Sequence, residues 1–424
     1  MNSAAAVTDK EKFVFASFNQ DCTSLAVGTS KGFHLFGLRS TDRVEQQHFY
    51  QAEGGVILAE RLFGGALVAV VTQHSPQQLR VVNVNRAGAK GANNGAEILS
   101  HYYSNDIFSV TLNRQRLVVC LERSLHIHNI KDLVELHTIS SPPNLKGLQA
   151  LSVGDLSLLA YPSNVTVGHV AIFDALSLKE MVTVEAHSSS VVALAFDPAG
   201  TKLATASQKG TVIRVFSLPD GQRVFEFRRG LARCASISTL AFDGEGMWLA
   251  AASNTETIHV FRATRDSSGD GAESWAQWGG WVFGMMSQVR AFAMARPPNP
   301  APPYSCALCK LGGVLRVLVC SADGHLLVFA LDTTAGGTCS LVCCYRLLGE
   351  MSGPDGEVKQ DISQPLVPLQ CQPSCRTYAQ MVAPAAESVE EEQHAGILPE
   401  DEIAAATFRL NDDEEFPPMV SHTK

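Results

Sequence analysis

Two adjacent arginines, Arg228 and Arg229, stand between Phe227 and Gly230 and are the residues of this 424-residue chain best suited to chemistry. A guanidinium group stays charged at any relevant pH, and its donors form a rigid fork that matches two oxygens of a phosphate. Neighbouring residues of an extended strand project to opposite sides. The pair can therefore serve two anion pockets, one on each side of a strand. Gly230 permits a sharp turn directly afterwards. Taken alone, Arg-Arg-Gly fits a solvated pair beside acidic neighbours better than an anion site, so its setting decides.

A second cluster is aromatic. Trp275, Trp278 and Trp281 fall within seven residues, and Phe283, Met285 and Met286 follow. Tryptophan suits a membrane–water interface because its ring is apolar while its N–H can stay wet. The spacing also fits one face of a short helix. The segment is expected to dip into a bilayer once headgroups are held elsewhere, since one weak anchor gives only reversible attachment. Packing of the cluster against its own body is the alternative.

Other combinations are incomplete. Cys306 and Cys309 have zinc-like spacing, but neither Cys343-Cys344 nor Cys371 with Cys375 supplies a matching pair. His126 and His128 share a strand face without a third ligand in sight. No metal and no cofactor is expected. No nucleophile–base pair, glycine-rich phosphate loop or paired-carboxylate site emerges, so an enzyme is not expected.

The elements that must position the arginines announce themselves as repeats. Leu194-Ala-Phe-Asp-Pro-Ala-Gly-Thr-Lys-Leu203 aligns with Leu240-Ala-Phe-Asp-Gly-Glu-Gly-Met-Trp-Leu249, and Phe196 to Phe242 is a 46-residue step. A weaker copy runs from Phe18 to Leu25 and on through Gly28, Gly32 and Leu35-Phe36. Each copy reads as alternating strands separated by polar turns. A repeat of this length marks the blade of a β-propeller, in which stacked blades bury each other's faces and closure protects the edges.

The expected fold class is therefore all-β, a seven-bladed β-propeller. Strand clusters place the blades near residues 12–40, 44–90, 104–140, 147–183, 187–227, 232–264 and 288–350. The first strand, near Phe13 to Ser17, is expected to complete the last blade. Blades are expected to end in Val-Phe-Ser, His-Val-Phe or Val-Phe-Ala. Residues 1–350 form the propeller, with 262–288 as a long loop of blade six, and 351–424 form a disordered acidic tail.

Charge follows the same division. Residues 351–424 hold 14 acidic and 4 basic residues, while residues 1–350 hold 28 acidic and 29 basic. The net charge of −9 thus belongs to the tail. The near-neutral body is not excluded from anionic partners. The tail segment Asp412-Asp-Glu-Glu-Phe-Pro-Pro-Met-Val420 is read as solvated, although it could be a linear motif for a basic groove. The N-terminal residues lack an apolar signal region, and no run reaches the roughly 18 apolar residues of a spanning helix. The 11 cysteines show no framework spacing and are expected to be reduced thiols.

With Phe227-Arg228-Arg229-Gly230 set between the two repeats, the chain resembles the PROPPIN family, and most closely its WIPI-type autophagy members. The resemblance is carried by that signature, by Leu203 to Phe216 and Ala252 to Phe261, and by Asn113 to Asn129. It implies two shallow pockets for phosphatidylinositol 3-phosphate and phosphatidylinositol 3,5-bisphosphate. Arg228 serves one pocket and Arg229 the other. His187, Ser207, Thr211 and Arg214 match positions on the fifth-blade side, and Ser253, Thr255 and Thr257 match positions on the sixth-blade side, with Thr205 and His259 nearby.

By the same resemblance, the counterpart of the aromatic segment in that family is a membrane-inserting loop of the sixth blade. In autophagy members of that family blades two and three form a groove for protein partners, and the resemblance implies a partner role for Arg114 or Arg116. The implied role is a monomeric cytoplasmic effector with no nucleic-acid partner. It would be recruited to phagophore, preautophagosomal and endosomal membranes, and would bring in an autophagy conjugation-machinery scaffold or a lipid-transfer protein. The competing reading is a propeller scaffold that binds only proteins.

Overall fold

The computed structural model describes residues 11–39, 44–87, 95–229, 234–264 and 288–348. It is built from seven sheets, each with four antiparallel strands, and the sheets of blades five and six each carry a fifth, parallel strand at the outer edge. The blades span 13–51, 56–102, 109–140, 150–187, 191–228, 237–295 and 305–346. Inner strands of successive blades touch around an axis, and Ser305–Leu311 of blade seven meets Phe13–Phe18 of blade one to close the ring. The apolar cores lie between blades. One of them joins Ala307, Leu318 and Val328 of blade seven to Leu25, Val27 and Phe36 of blade one.

The repeated Phe-Asp motif explains the inner hairpins. Asp197 accepts hydrogen bonds from the backbone N–H of Thr201 and Lys202, both at 2.7 Å. Asp243 does the same for Met247 at 2.7 Å and Trp248 at 2.8 Å. A buried carboxylate with these partners fixes the turn between the first two strands of its blade.

Three expectations need correction. Phe13–Phe18 pairs with Ser24–Thr29 in blade one and does not complete blade seven. The short polar hairpin between them favours local pairing, in which Asn19 accepts from the backbone N–H of Ser24 at 2.9 Å. Second, Val-Phe-Ser217, His-Val-Phe261 and Val-Phe-Ala330 lie in third strands, and a further strand follows each. Accordingly Glu45–Gln51 closes blade one and does not open blade two.

Third, the segment from residue 288 does not begin blade seven. Gln288–Arg290 joins blade five, parallel to Arg223–Arg228, and Ala293–Ala295 then completes blade six beside Ile258–Arg262. Gly337–Thr338, from the last connection of blade seven, adds in the same way to the outside of blade six. No helix among the described residues is long and apolar enough to cross a membrane.

Candidate functional site

The arginine pair ends Arg223–Arg228, the fourth strand of blade five. The alternation of that strand decides where each side chain goes. Phe227 is fully buried in the core shared with blade six, and its ring stacks on Phe261 with centroids 4.9 Å apart. Arg229 shares that parity and turns toward blade six. Arg228 and Glu226 take the opposite parity, toward blade four. The backbone N–H of Arg229 donates to the Thr211 carbonyl at 3.0 Å, which keeps the chain extended one residue past the strand.

The blade-four side gathers His187, Thr205, Ser207 and Arg214. His187 Nε2 and Thr205 Oγ1 share a hydrogen bond at 2.8 Å. Arg214 Nη1 donates to the Ala186 carbonyl at 2.8 Å, and its Nε meets Glu226 Oε2 at 3.0 Å. Arg223 adds a second contact to that carboxylate at 2.9 Å. Arg214 is thus committed to a buried ion pair that joins the third and fourth strands of blade five. Thr205 is fully buried, Ser207 nearly so, while Thr211 is half-buried beside the arginines.

The blade-six side gathers Arg229, Ser253, Thr255 and His259. Ser253 Oγ and Thr255 Oγ1 lie 2.8 Å apart, and the Thr255 N–H also points to Ser253 Oγ at 3.3 Å. Thr257 is half-buried on the same hairpin. Gly210 brings the two hairpins together. It has φ +62°, and a Cβ there would fall 1.6 Å from the Ala235 carbonyl oxygen at the entry to blade six. Only a residue without a side chain permits that approach.

The donors of the two arginines differ from those of Arg214. Arg228 Nε, and Arg229 Nε and Nη1, are buried and have no hydrogen-bond partner among the described residues. The same is true of His187 Nδ1, His259 Nδ1 and Ser189 Oγ. Buried donors without partners are costly. Burial lowers the Arg229 pKa from its ordinary value. Burial pushes His259 down to about 4, with Arg229 and then Arg296 adding to the shift. Burial, followed by Arg214, pushes His187 down to about 3. Both histidines are neutral at pH 7, so the positive charge at this edge is carried by arginine. The arrangement can receive an anion on each side of blade five.

Sequence reasoning missed Glu226, Ser189, Arg290 and Arg296. Arg290 stands directly beside Arg228 in the parallel bridge. Arg296 follows the strand that pairs with His259. Neither neighbour could be found without knowing that pairing.

Arg114 and Arg116 sit elsewhere. Arg114 lies over the Phe63 ring at 4.1 Å. Arg116 donates from Nε to the Ala175 carbonyl at 2.7 Å and from Nη1 to the Gln115 carbonyl at 3.0 Å. Cys306 and Cys309 enter the cores on opposite faces of blade seven. No group of metal-ligating side chains occurs among the described residues. Gly230, Trp275, Trp278, Trp281, Phe283, Met285, Met286 and the tail lie outside the described residues.

Residues 13–348 match the family model described as PROPPIN. The chain is 43% identical to WD repeat domain phosphoinositide-interacting protein 2 of Gallus gallus, over 97% of this chain and 96% of that one. It is 32% identical to autophagy-related protein 18 of Caenorhabditis elegans, over 79% of this chain and 86% of the relative. Among solved structures, the complex of KlAtg21 with the coiled coil of AgAtg16 superposes with a TM-score of 0.64. That match has 26% identity and covers 79% of this chain and 99% of the other.

Proposed function

This chain belongs to the PROPPIN family, and from that premise we propose that it is a peripheral membrane effector of autophagosome formation. It binds phosphatidylinositol 3-phosphate and phosphatidylinositol 3,5-bisphosphate at the two sides of blade five. The observation that carries this reading is the set of buried, partnerless donors on Arg228 and Arg229. Each fork receives phosphate oxygens on its own side. Ser207 and Thr211 on one side, and Ser253, Thr255 and Thr257 on the other, supply hydroxyls to the headgroup. His187, Thr205 and Arg214 shape the first pocket, and neutral His259 shapes the second. No covalent step is involved.

Trp275, Trp278, Trp281, Phe283, Met285 and Met286 supply the second anchor by entering the bilayer next to the bound headgroups. Replacing the three tryptophans with Ser should weaken vesicle recruitment, and unchanged recruitment would remove this part of the proposal. Residues 351–424, with their net charge of −10, point away from the anionic bilayer. Their deletion should leave binding intact or slightly stronger at low salt.

The membrane-bound protein recruits autophagy machinery from the cytoplasm to phagophore and endosomal membranes. Support for a conjugation-machinery scaffold as partner comes from the solved relative, which is held with a coiled coil of AgAtg16. Arg114 and Arg116 are the residues proposed to meet such a partner. A pull-down with Arg116→Glu that matched wild type would count against them.

The deciding experiment is flotation with phosphatidylinositol 3-phosphate vesicles, comparing wild type with Arg228→Thr/Arg229→Thr. Loss of binding in the double variant is expected, together with strong salt dependence in the wild type. Equal binding by both would leave a propeller that works only through proteins.

A further inference from the structure

We propose that each side of blade five is a two-arginine site, completed by Arg290 and Arg296 from the segment that returns from the long blade-six connection. These two arginines hold the second phosphate of a bisphosphorylated headgroup. The inference rests on the phosphoinositide reading above and assigns that reading's second phosphate to particular residues.

The argument begins with register. Gln288–Arg290 runs parallel to Arg223–Arg228, and Arg228 is the direct neighbour of Arg290. Direct neighbours in adjacent strands project to the same face. Ala291, of the opposite parity, packs against the core between blades five and six. Arg290 therefore shares the blade-four side with Arg228. The same alternation applies one strand later. Ala293 and Ala295 face blade seven, so Met294 and Arg296 turn toward blade five. There Met294 pairs with His259, and the charge of Arg296 helps depress that histidine.

Each arginine of the signature thus has a second cation beside it. Like charges side by side on one face repel. The carboxylate of this strand does not relieve them, because Glu226 is held by Arg214 and Arg223. Glu256, on the hairpin between Thr255 and Thr257, is exposed. One guanidinium fork pairs bidentately with two oxygens of one phosphate. Two forks on the same side fit two phosphate groups on one ring better than one.

The test uses the full chain and vesicles of phosphatidylcholine in three versions. One carries phosphatidylinositol 3-phosphate, one carries phosphatidylinositol 3,5-bisphosphate, and one is made equally anionic with phosphatidylserine. Arg290→Gln and Arg296→Gln should each lower affinity for the bisphosphate vesicles by about tenfold, the size of one charge-assisted hydrogen bond, with a much smaller loss on the monophosphate. Both side chains are exposed, so the melting temperature should not move. Equal losses on both phosphoinositides, or an equal loss on phosphatidylserine, would overturn the inference. So would displacement from bisphosphate vesicles by millimolar inorganic phosphate, which would mark a simple anion site. The Arg228→Thr/Arg229→Thr protein separates the two levels. If it binds vesicles like wild type, the phosphoinositide reading itself fails. If it loses binding while Arg290→Gln and Arg296→Gln keep the wild-type ratio between the lipids, only the present inference fails.

Discussion

Arg114 with Arg116 and Arg228 with Arg229 make a controlled comparison within one molecule. Both pairs lie on a propeller blade and both look basic in sequence. In blade three the guanidinium groups are engaged, one over the Phe63 ring and one on the Ala175 and Gln115 carbonyls. In blade five three guanidinium nitrogens are buried without partners among the described residues. Charge alone therefore does not mark an anion site. The useful signal is whether the surrounding fold has already used the donors.

The largest test of that contrast is the double substitution. Arg228→Thr/Arg229→Thr should cost about 4 kcal/mol of vesicle binding, close to a thousandfold, as two charge-assisted bonds disappear. The melting temperature should hold or rise, because buried partnerless donors are removed. A fall in stability without a loss of binding would reverse the assignment.

Arg214 is the next case, since it sits beside Arg228 yet behaves like the blade-three pair. Arg214→Met should destabilise the fold by about 3 kcal/mol in denaturant unfolding, because it breaks a buried pair and strips Glu226 of one partner. A loss of binding with unchanged stability would place Arg214 with Arg228 after all.

Acid should separate the two regions as well. His187 and His259 have folded pKa values of about 3 and about 4, below the ordinary 6.5. Below pH 6.5 the unfolded chain therefore binds protons that the folded chain refuses. Their contribution to stability is full above that pH and falls as the pH drops toward 4. Each histidine should withdraw about 2 kcal/mol by pH 5. Unfolding of His187→Gln and His259→Gln measured between pH 7 and pH 5 should show a flatter slope than wild type. An unchanged slope would show that these rings are not held neutral.

The smallest effect belongs to blade three. Arg114→Ala should cost about 1 kcal/mol of stability through the lost ring contact and leave phosphoinositide binding within twofold. A binding loss comparable to that of the blade-five pair would erase the contrast.

Much of this was legible in the chain. The aspartates that cap the inner hairpins recur with the repeat, so the blade as the repeating unit followed from Asp197, Asp243 and their flanking apolar residues, and the count of seven from the strand clusters. The placement of Arg228 and Arg229 on opposite sides of their strand followed from strand alternation alone. Blade phase was harder. Phe13–Phe18 is an alternating strand whichever blade it joins, and only its short hairpin to Ser24 decides. Arg290 was out of reach for a related reason. Its neighbour Arg228 is distant in sequence, and a three-residue strand has too little pattern to declare a partner. Glu226 reads as an ordinary exposed glutamate until the position of Arg214 is known.

The borrowed outer strands also bear on how the molecule assembles. Blade six leaves its sheet after Arg262, and about 25 residues later the chain pairs with blade five before supplying blade six with Ala293–Ala295. Closing a loop of that length has an entropic cost that grows slowly with its length, so the closure is affordable once a docking edge exists. That edge is Arg223–Arg228. One short segment, Gln288–Ala295, therefore ties the outer edge of blade five to the fourth strand of blade six. The two should gain protection from amide hydrogen exchange as one cooperative unit. A lesion in either blade would then be felt as late, incomplete folding of both.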